Sequence, residues 1–351
     1  MNENKKKKQI IGLIIAEVIL LIAAVAVLIF WIRSSREKQK ETLEQEVSSD
    51  VEMDQTEELV EESESSNIKE ITPTPAQTST PTPEPTPEPT PEIPFNAYEE
   101  VTITWNPEWK YADYSAIHTS DVTLYRSLHE GRPVVTINAG HGTQGGGSVK
   151  TLCHPDGTPK VTGGSTAEGA TKATAVSSGT TMLDGTAEAK VNLKLALIVR
   201  DKLLDAGFSV LMIREGDDVQ LDNIARTVFA NNNSDCHIAL HYDSTENDKG
   251  FYYMSVPDVS SYRSMEPVAS HWQEHHALGD SLVEGMQLVG HKIYSDGKLP
   301  IDLTQTSYST VASVDVEVGD RGSDYSDAVH NRIADGIVAG LKLYFGVDYS
   351  E

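Results

Sequence analysis

The sequence predicts an α/β fold: a mainly parallel (mixed) sheet of about six strands flanked by helices on both faces, preceded by a transmembrane helix and a disordered stalk. Three observations carry this expectation. Beyond residue 130, short apolar runs alternate with stretches of helical period, the order expected of strands joined by crossover helices. An apolar run of 23 residues occupies positions 10 to 32. Positions 33 to 94 are too polar to bury a core.

Taken in order, residues 1 to 9 form a leader containing Lys5 to Lys8, expected in the cytoplasm. Ile10 to Ile32 contains one charged residue, Glu17, and as a helix at about 1.5 Å per residue it spans roughly 34 Å, enough to cross a bilayer. Ala24 to Ala26 resembles a signal-cleavage site, but cutting there would leave VLIFWI at a new terminus, so a retained anchor is expected. Lysines and arginines balance across the span. The amino terminus is placed inside because so short a leader has nothing to translocate. The chain beyond the span then lies outside the cell.

Residues 41 to 70 hold twelve acidic side chains against Lys69 alone, and from Pro73 to Pro94 nine of the sixteen prolines alternate with Thr and Glu. The first stretch cannot offset its ordering entropy, and the second reads as a stiff polyproline spacer. The formal net charge of −25 argues against nucleic-acid binding, which needs lysines and arginines to displace counterions. Two cysteines, Cys153 and Cys236, exclude a disulfide scaffold and leave their pairing open.

Residues 95 to 130 read as an approach segment with a strand at 101 to 105, and 131 to 351 as one large α/β domain. Val134 to Asn138 is a buried strand. Thr186 to Ala206 is a helix that Thr186 can cap and Gly207 can stop. Strands follow at 209 to 214, 236 to 241, 251 to 254 and 314 to 318, and helices at 221 to 231, 270 to 290 and 327 to 345.

In open α/β sheets, ligands gather at the carboxyl ends of strands. His141, His241 and Glu317 fall at such ends, and Glu188 sits in the first turn of a helix. Two imidazoles and a carboxylate match a zinc set with one open position, and a further carboxylate could carry protons. Each residue also has a structural explanation. Glu188 could complement the helix dipole and His241 could be an ordinary sheet-end histidine. Glu317, flanked by Val316 and Val318, needs a partner or an altered proton affinity.

VVTINAGHG at 134 to 142, TAEAKVNLKLA at 186 to 196, REGDDVQLDNIARTVFANN at 214 to 232, IALHYDS at 238 to 244 and VDVEVGD at 314 to 320 together resemble the zinc-dependent N-acetylmuramoyl-L-alanine amidases of the amidase 3 type. These are bacterial cell-wall hydrolases, and the likeness spans roughly residues 133 to 346. The resemblance implies that His141, Glu188 and His241 bind zinc and that Glu317 is catalytic. It implies a monomeric domain acting on peptidoglycan, cleaving the amide between N-acetylmuramic acid and L-alanine. An inactive wall-binding module, or a zinc hydrolase of the stem peptide, are the alternative readings.

The chain departs from the family at Asn138, where an Asp is usual, at Tyr242 and Asp243, expected to alter a substrate-facing rim, and at Asp320. The segment 143 to 183, rich in Gly, Ser and Thr, is expected to be a loop over the site, either a lid or a passive surface loop. His271 and His275 are expected on a solvated helix face, His237 in packing, and Cys153 with His154 in no particular role.

Overall fold

The computed structural model describes residues 93 to 349. The predicted leader, the anchor at 10 to 32 and the stalk up to residue 92 lie outside them. No described helix is long and apolar enough to cross a membrane.

The elements run β1 (Tyr98–Ile103), β2 (Val122–Ser127), β3 (Val134–Ala139), β4 (Lys150–Leu152), β5 (Lys172–Thr174), α1 (Glu188–Asp205), β6 (Ser209–Met212), α2 (Asn223–Asn233), β7 (Cys236–Asp243), β8 (Phe251–Ser255), α3 (Ser260–Arg263), α4 (Val268–Leu288), β9 (Ile293–Pro300), α5 (Thr304–Tyr308), β10 (Ala312–Asp320) and α6 (Asp327–Phe345). The main sheet has eight strands, ordered β1-β2-β6-β3-β7-β10-β8-β9, rather than about six. The pairs β6 with β3, β3 with β7, β7 with β10 and β8 with β9 are parallel. The pairs β1 with β2, β2 with β6 and β10 with β8 are antiparallel, so the sheet is mixed. The two strands missing from the expectation are β2, whose VTLYRS interrupts its apolar residues with Thr123 and ends on Arg126 and Ser127, and β9, whose IYSDGKLP carries no alternation.

Each central strand alternates between two cores because its side chains alternate between faces. On β7, Ile238, Leu240 and Tyr242 join Val314, Val316 and Val318 of β10 beneath α1, α4 and α6, with Leu195, Leu282 and Ile337 buried among them. The opposite face packs α2 through Ala225 and Phe229. It also presents His237, His241, Asp315 and Glu317, since these occupy the alternate positions of β7 and β10. Thus the apolar face fixes the register, and the register places the polar residues.

Several local expectations need correction. Thr186 does not cap α1: the capping position is Ala187, without a side-chain bond, and the helix begins on Glu188 itself. His275 is 1% exposed rather than solvated. It lies on the same face of α4 as Leu278 and Leu282, and its Nδ1 accepts the Ser313 amide at 3.0 Å. Cys153 and Cys236 are both buried and free.

Candidate metal centre

Three segments distant in sequence meet at the carboxyl end of the sheet. His141 follows β3, Glu188 opens α1, and His241 lies near the end of β7. His141 Nε2 is 2.9 Å from Glu188 Oε1 and 3.1 Å from His241 Nδ1, and His241 Nδ1 is 3.2 Å from Glu188 Oε1. These three groups are the one cluster of metal-ligand type found among the described residues.

The donor set fits a zinc ion. Ligand atoms at about 2.0–2.1 Å in a tetrahedron lie roughly 3.3 Å from one another, close to the separations seen. His141 Nδ1 is 2.9 Å from the Ser177 carbonyl, which can only accept, so the proton sits on Nδ1 and the lone pair of Nε2 points into the cluster. Glu188 is aligned by the amides of Thr180, through Oε2 at 2.7 Å, and Tyr242, through Oε1 at 3.2 Å. Asn192, one turn along α1, donates to Oε1 at 3.2 Å.

The cluster is nearly dry: the side chains of His141, Glu188 and His241 are 10%, 4% and 20% exposed. Burial lowers the proton affinity of His141. For His241 burial acts the same way, but the hydrogen bond and charge of Glu188, with Asp315 and Glu317 nearby, outweigh it and push the pKa up to about 9. Burial disfavours the Glu188 anion, yet its histidine partners prevail and hold the carboxyl well below its usual range.

Glycine is required at two places around these rings. A Cβ at Gly140 would strike the imidazole of His241. At Gly179, with φ +79°, a Cβ would lie 2.6 Å from His141 Cδ2 and 2.8 Å from Glu188 Oε2.

Glu317 stands opposite His241 in the parallel β7 and β10 register, and opposite Tyr252 on β8. Its Oε2 is enclosed without a hydrogen-bond partner, and burial raises its pKa to about 8. The four candidate residues are therefore brought together toward the carboxyl ends of β3, β7 and β10. Two residues earlier on that face is Asp315, whose Oδ1 also lacks a partner and whose carboxyl burial pushes up to about 6.

The departures resolve differently from one another. Tyr242 does not line a rim: it points to the opposite face from His241, is 2% exposed, and its hydroxyl lies 3.0 Å from His330 Nε2. Asp243 remains on the site's face, where it accepts from the Tyr252 hydroxyl at 2.6 Å and pairs with Lys249. Asp320 is fully buried and accepts from Thr245 Oγ1 and the Lys249 amide, tying the loop after β7 to the end of β10. Asn138 accepts from Arg226 Nη1 at 2.9 Å.

The segment 143 to 183 is an anchored structure. It carries the β4 and β5 hairpin, and its His154, Lys160 and Thr162 converge on Asp302, 1% exposed, in the loop after β9. Its end supplies the Ser177 carbonyl and the Thr180 amide to the cluster. Sequence reasoning did not find those two groups, because they are backbone atoms and carry no residue signature. His237 is fully buried in packing, with both ring nitrogens unpartnered and a pKa that burial lowers to about 3.

Fold and cluster together define a class: an α/β protein with a histidine and glutamate cluster of metal-ligand type at the strand ends. The family profile described as N-acetylmuramoyl-L-alanine amidase matches residues 135–342, and the chain belongs to that family. Among solved structures it is similar to the N-acetylmuramyl-L-alanine amidase Ami1 of Mycobacterium smegmatis, with TM-score 0.50 and 19% identity, over 62% of this chain and 97% of that one. It is also similar to the N-acetylmuramoyl-L-alanine amidase AmiC2 of Nostoc punctiforme, with TM-score 0.45 and 17% identity, over 62% and 100% of the two chains. At 19% identity the first likeness shows the fold alone. No curated protein sequence matches the chain.

Proposed function

We propose that this amidase hydrolyses the bond between the lactyl carbonyl of N-acetylmuramic acid and L-alanine in peptidoglycan, with a zinc ion held by His141, Glu188 and His241. The observation that supports it most is the meeting of three ligand atoms within hydrogen-bond distance of one another, with Glu317 in register beside His241. Zinc, when bound, supplies Lewis acidity, which makes water acidic near neutral pH and polarises a carbonyl.

The remaining work falls to the chain. Ser177 and the amides around Glu188 hold the ligands in one orientation. Glu317 accepts the proton of the attacking water and returns one to the departing alanine nitrogen. Burial holds the Glu317 carboxyl above its usual range in the metal-free chain, toward the range in which one group can both take and return a proton. The C–N bond breaks as the C–O bond to water is completed; one water proton reaches the nitrogen through Glu317 and the other leaves as the product acid ionises, giving a carboxylate on the sugar and an amine on the peptide that takes up a proton from solvent.

The reading extends to location: residues 10 to 32 act as a single-pass anchor with the amino terminus in the cytoplasm, and 33 to 94 as a stalk that reaches the wall. The test is digestion of purified muropeptides with mass analysis of the products. Free lactyl carboxyl and alanine amino termini are expected; cleavage within the stem peptide, or none, contradicts the assignment.

A further inference from the structure

The block from Arg214 to Asn232 contributes no ligand to the cluster, yet it brings two buried arginines beneath it. Arg214, 3% exposed, donates through Nε to the Ala139 carbonyl at 2.9 Å and through Nη2 to the Gly140 carbonyl at 2.9 Å. The same Nη2 reaches the Ala189 carbonyl at 2.6 Å, in the first turn of α1 beside Glu188. One guanidinium therefore joins the loop carrying His141 to the helix carrying Glu188.

Arg226, 1% exposed, holds the other side of that loop. Its Nη2 donates to the His141 carbonyl at 2.6 Å and to Thr143 Oγ1 at 2.9 Å. Its Nη1 reaches Asn138 Oδ1 at 2.9 Å and the Ala139 carbonyl at 3.2 Å, and its Nε the Leu221 carbonyl at 3.1 Å. Every carbonyl from Ala139 to His141 thus ends on a guanidinium.

Two features show that this arrangement does more than fill space. Neither arginine forms an ion pair with a carboxylate among the described residues; their acceptors are neutral, an expensive way to bury a charge. Burial accordingly lowers Arg214 to about 10 and Arg226 to about 9. His141 also has φ +65°, a left-handed backbone that a residue with a Cβ adopts only when its surroundings enforce it. The carbonyl of that residue is the one Arg226 Nη2 holds at 2.6 Å.

We propose that Arg214 and Arg226 are positioning residues for the metal centre: Arg214 sets the spacing of His141 from Glu188, and Arg226 sets the backbone turn that aims His141. This rests on the proposed metal role of the cluster. Arg214 reaches four carbonyls, of Ala139, Gly140, Ala189 and Gly216, from three nitrogens set in one plane, whereas an ammonium has three donors on a single atom and cannot span them.

The experiment is zinc affinity of the purified full-length protein, measured by competition with a chromophoric chelator, for the parent, Arg214→Lys and Asn138→Ala. Melting of each chelator-stripped form is followed in parallel, so that affinity is compared between folded proteins. Arg214→Lys is expected to bind zinc about 10–100-fold more weakly, the usual consequence of losing a group that orients a ligand. Asn138→Ala, which removes one acceptor of Arg226 with little change in packing, is expected to lose threefold or more. Zinc affinity within threefold of the parent in folded Arg214→Lys overturns the role of Arg214, and unchanged affinity in Asn138→Ala overturns that of Arg226. Should Arg214→Lys show no cooperative melting, Asn138→Ala decides whether the buried clasp acts on the centre. Absence of zinc binding by the parent would instead overturn the metal reading itself.

Discussion

Glu317 of β10 and His241 of β7 stand directly opposite each other in a parallel strand pair, on the sheet face away from the larger apolar core. The pairing sets a proton-exchanging carboxyl beside a candidate ligand without any contribution from loop conformation. Its consequence is a division of roles. Glu317→Gln should keep the metal and reduce turnover by about 10²–10⁴, the range contributed by a positioned acid or base. Metal analysis and muropeptide cleavage on one preparation check both halves, and cleavage near the parental rate would exclude Glu317.

The buried Glu317 carboxyl also makes a prediction about stability in protein stripped of metal. Its folded-state pKa, about 8, lies above the ordinary 4.5, so its contribution is complete below 4.5 and is lost as pH rises through about 8. Glu317→Gln stays neutral throughout. It should melt higher than the parent at pH 8 and equally at pH 4, each kcal/mol appearing as about 2–4 °C. Identical melting curves at pH 8 would show that the carboxyl is not strained by burial.

Gly179→Ala should disturb the cluster without touching a ligand. Its added methyl meets His141 and Glu188 on a left-handed backbone. Zinc affinity should fall at least tenfold, a loss of about 1.4 kcal/mol. Chelator competition measures this, and parental affinity would mean that the 177 to 180 turn yields freely.

Asp302 anchors the 143 to 183 segment, and its removal leaves Lys160 and His154 buried without their carboxylate. Asp302→Ala should destabilise the domain by about 3–5 kcal/mol, as expected when one partner of a buried pair is deleted. Limited proteolysis should then open sites between residues 155 and 170 that are resistant in the parent. Unchanged cleavage would show that the hairpin alone holds the segment.

The sequence displayed six of the eight strands, β1 at the sheet edge among them, and concealed β2 and β9. Val134 to Asn138 is legible as a short, mostly apolar run and Val314 to Val318 as a strict alternation that sets three valines against the core, whereas β9 at the sheet edge shows neither pattern. His141, Glu188, His241 and Glu317 were legible as residue types at strand and helix ends. Their convergence follows from the order of β3, β7 and β10 in the sheet, which no local pattern encodes. The inward turn of Tyr242 was hidden only because its strand phase was not carried past His241. The Ser177 carbonyl, the Thr180 amide and the carbonyls on Arg214 and Arg226 belong to the backbone, so their involvement became visible only with the fold.

Metal content per chain, measured on the purified full-length protein and its His141→Ala variant, tests the central claim most directly. One zinc per parent chain and loss of that zinc in the variant, together with loss of muropeptide cleavage, is the predicted result. Parental zinc content in His141→Ala, or cleavage by protein free of metal, would contradict it.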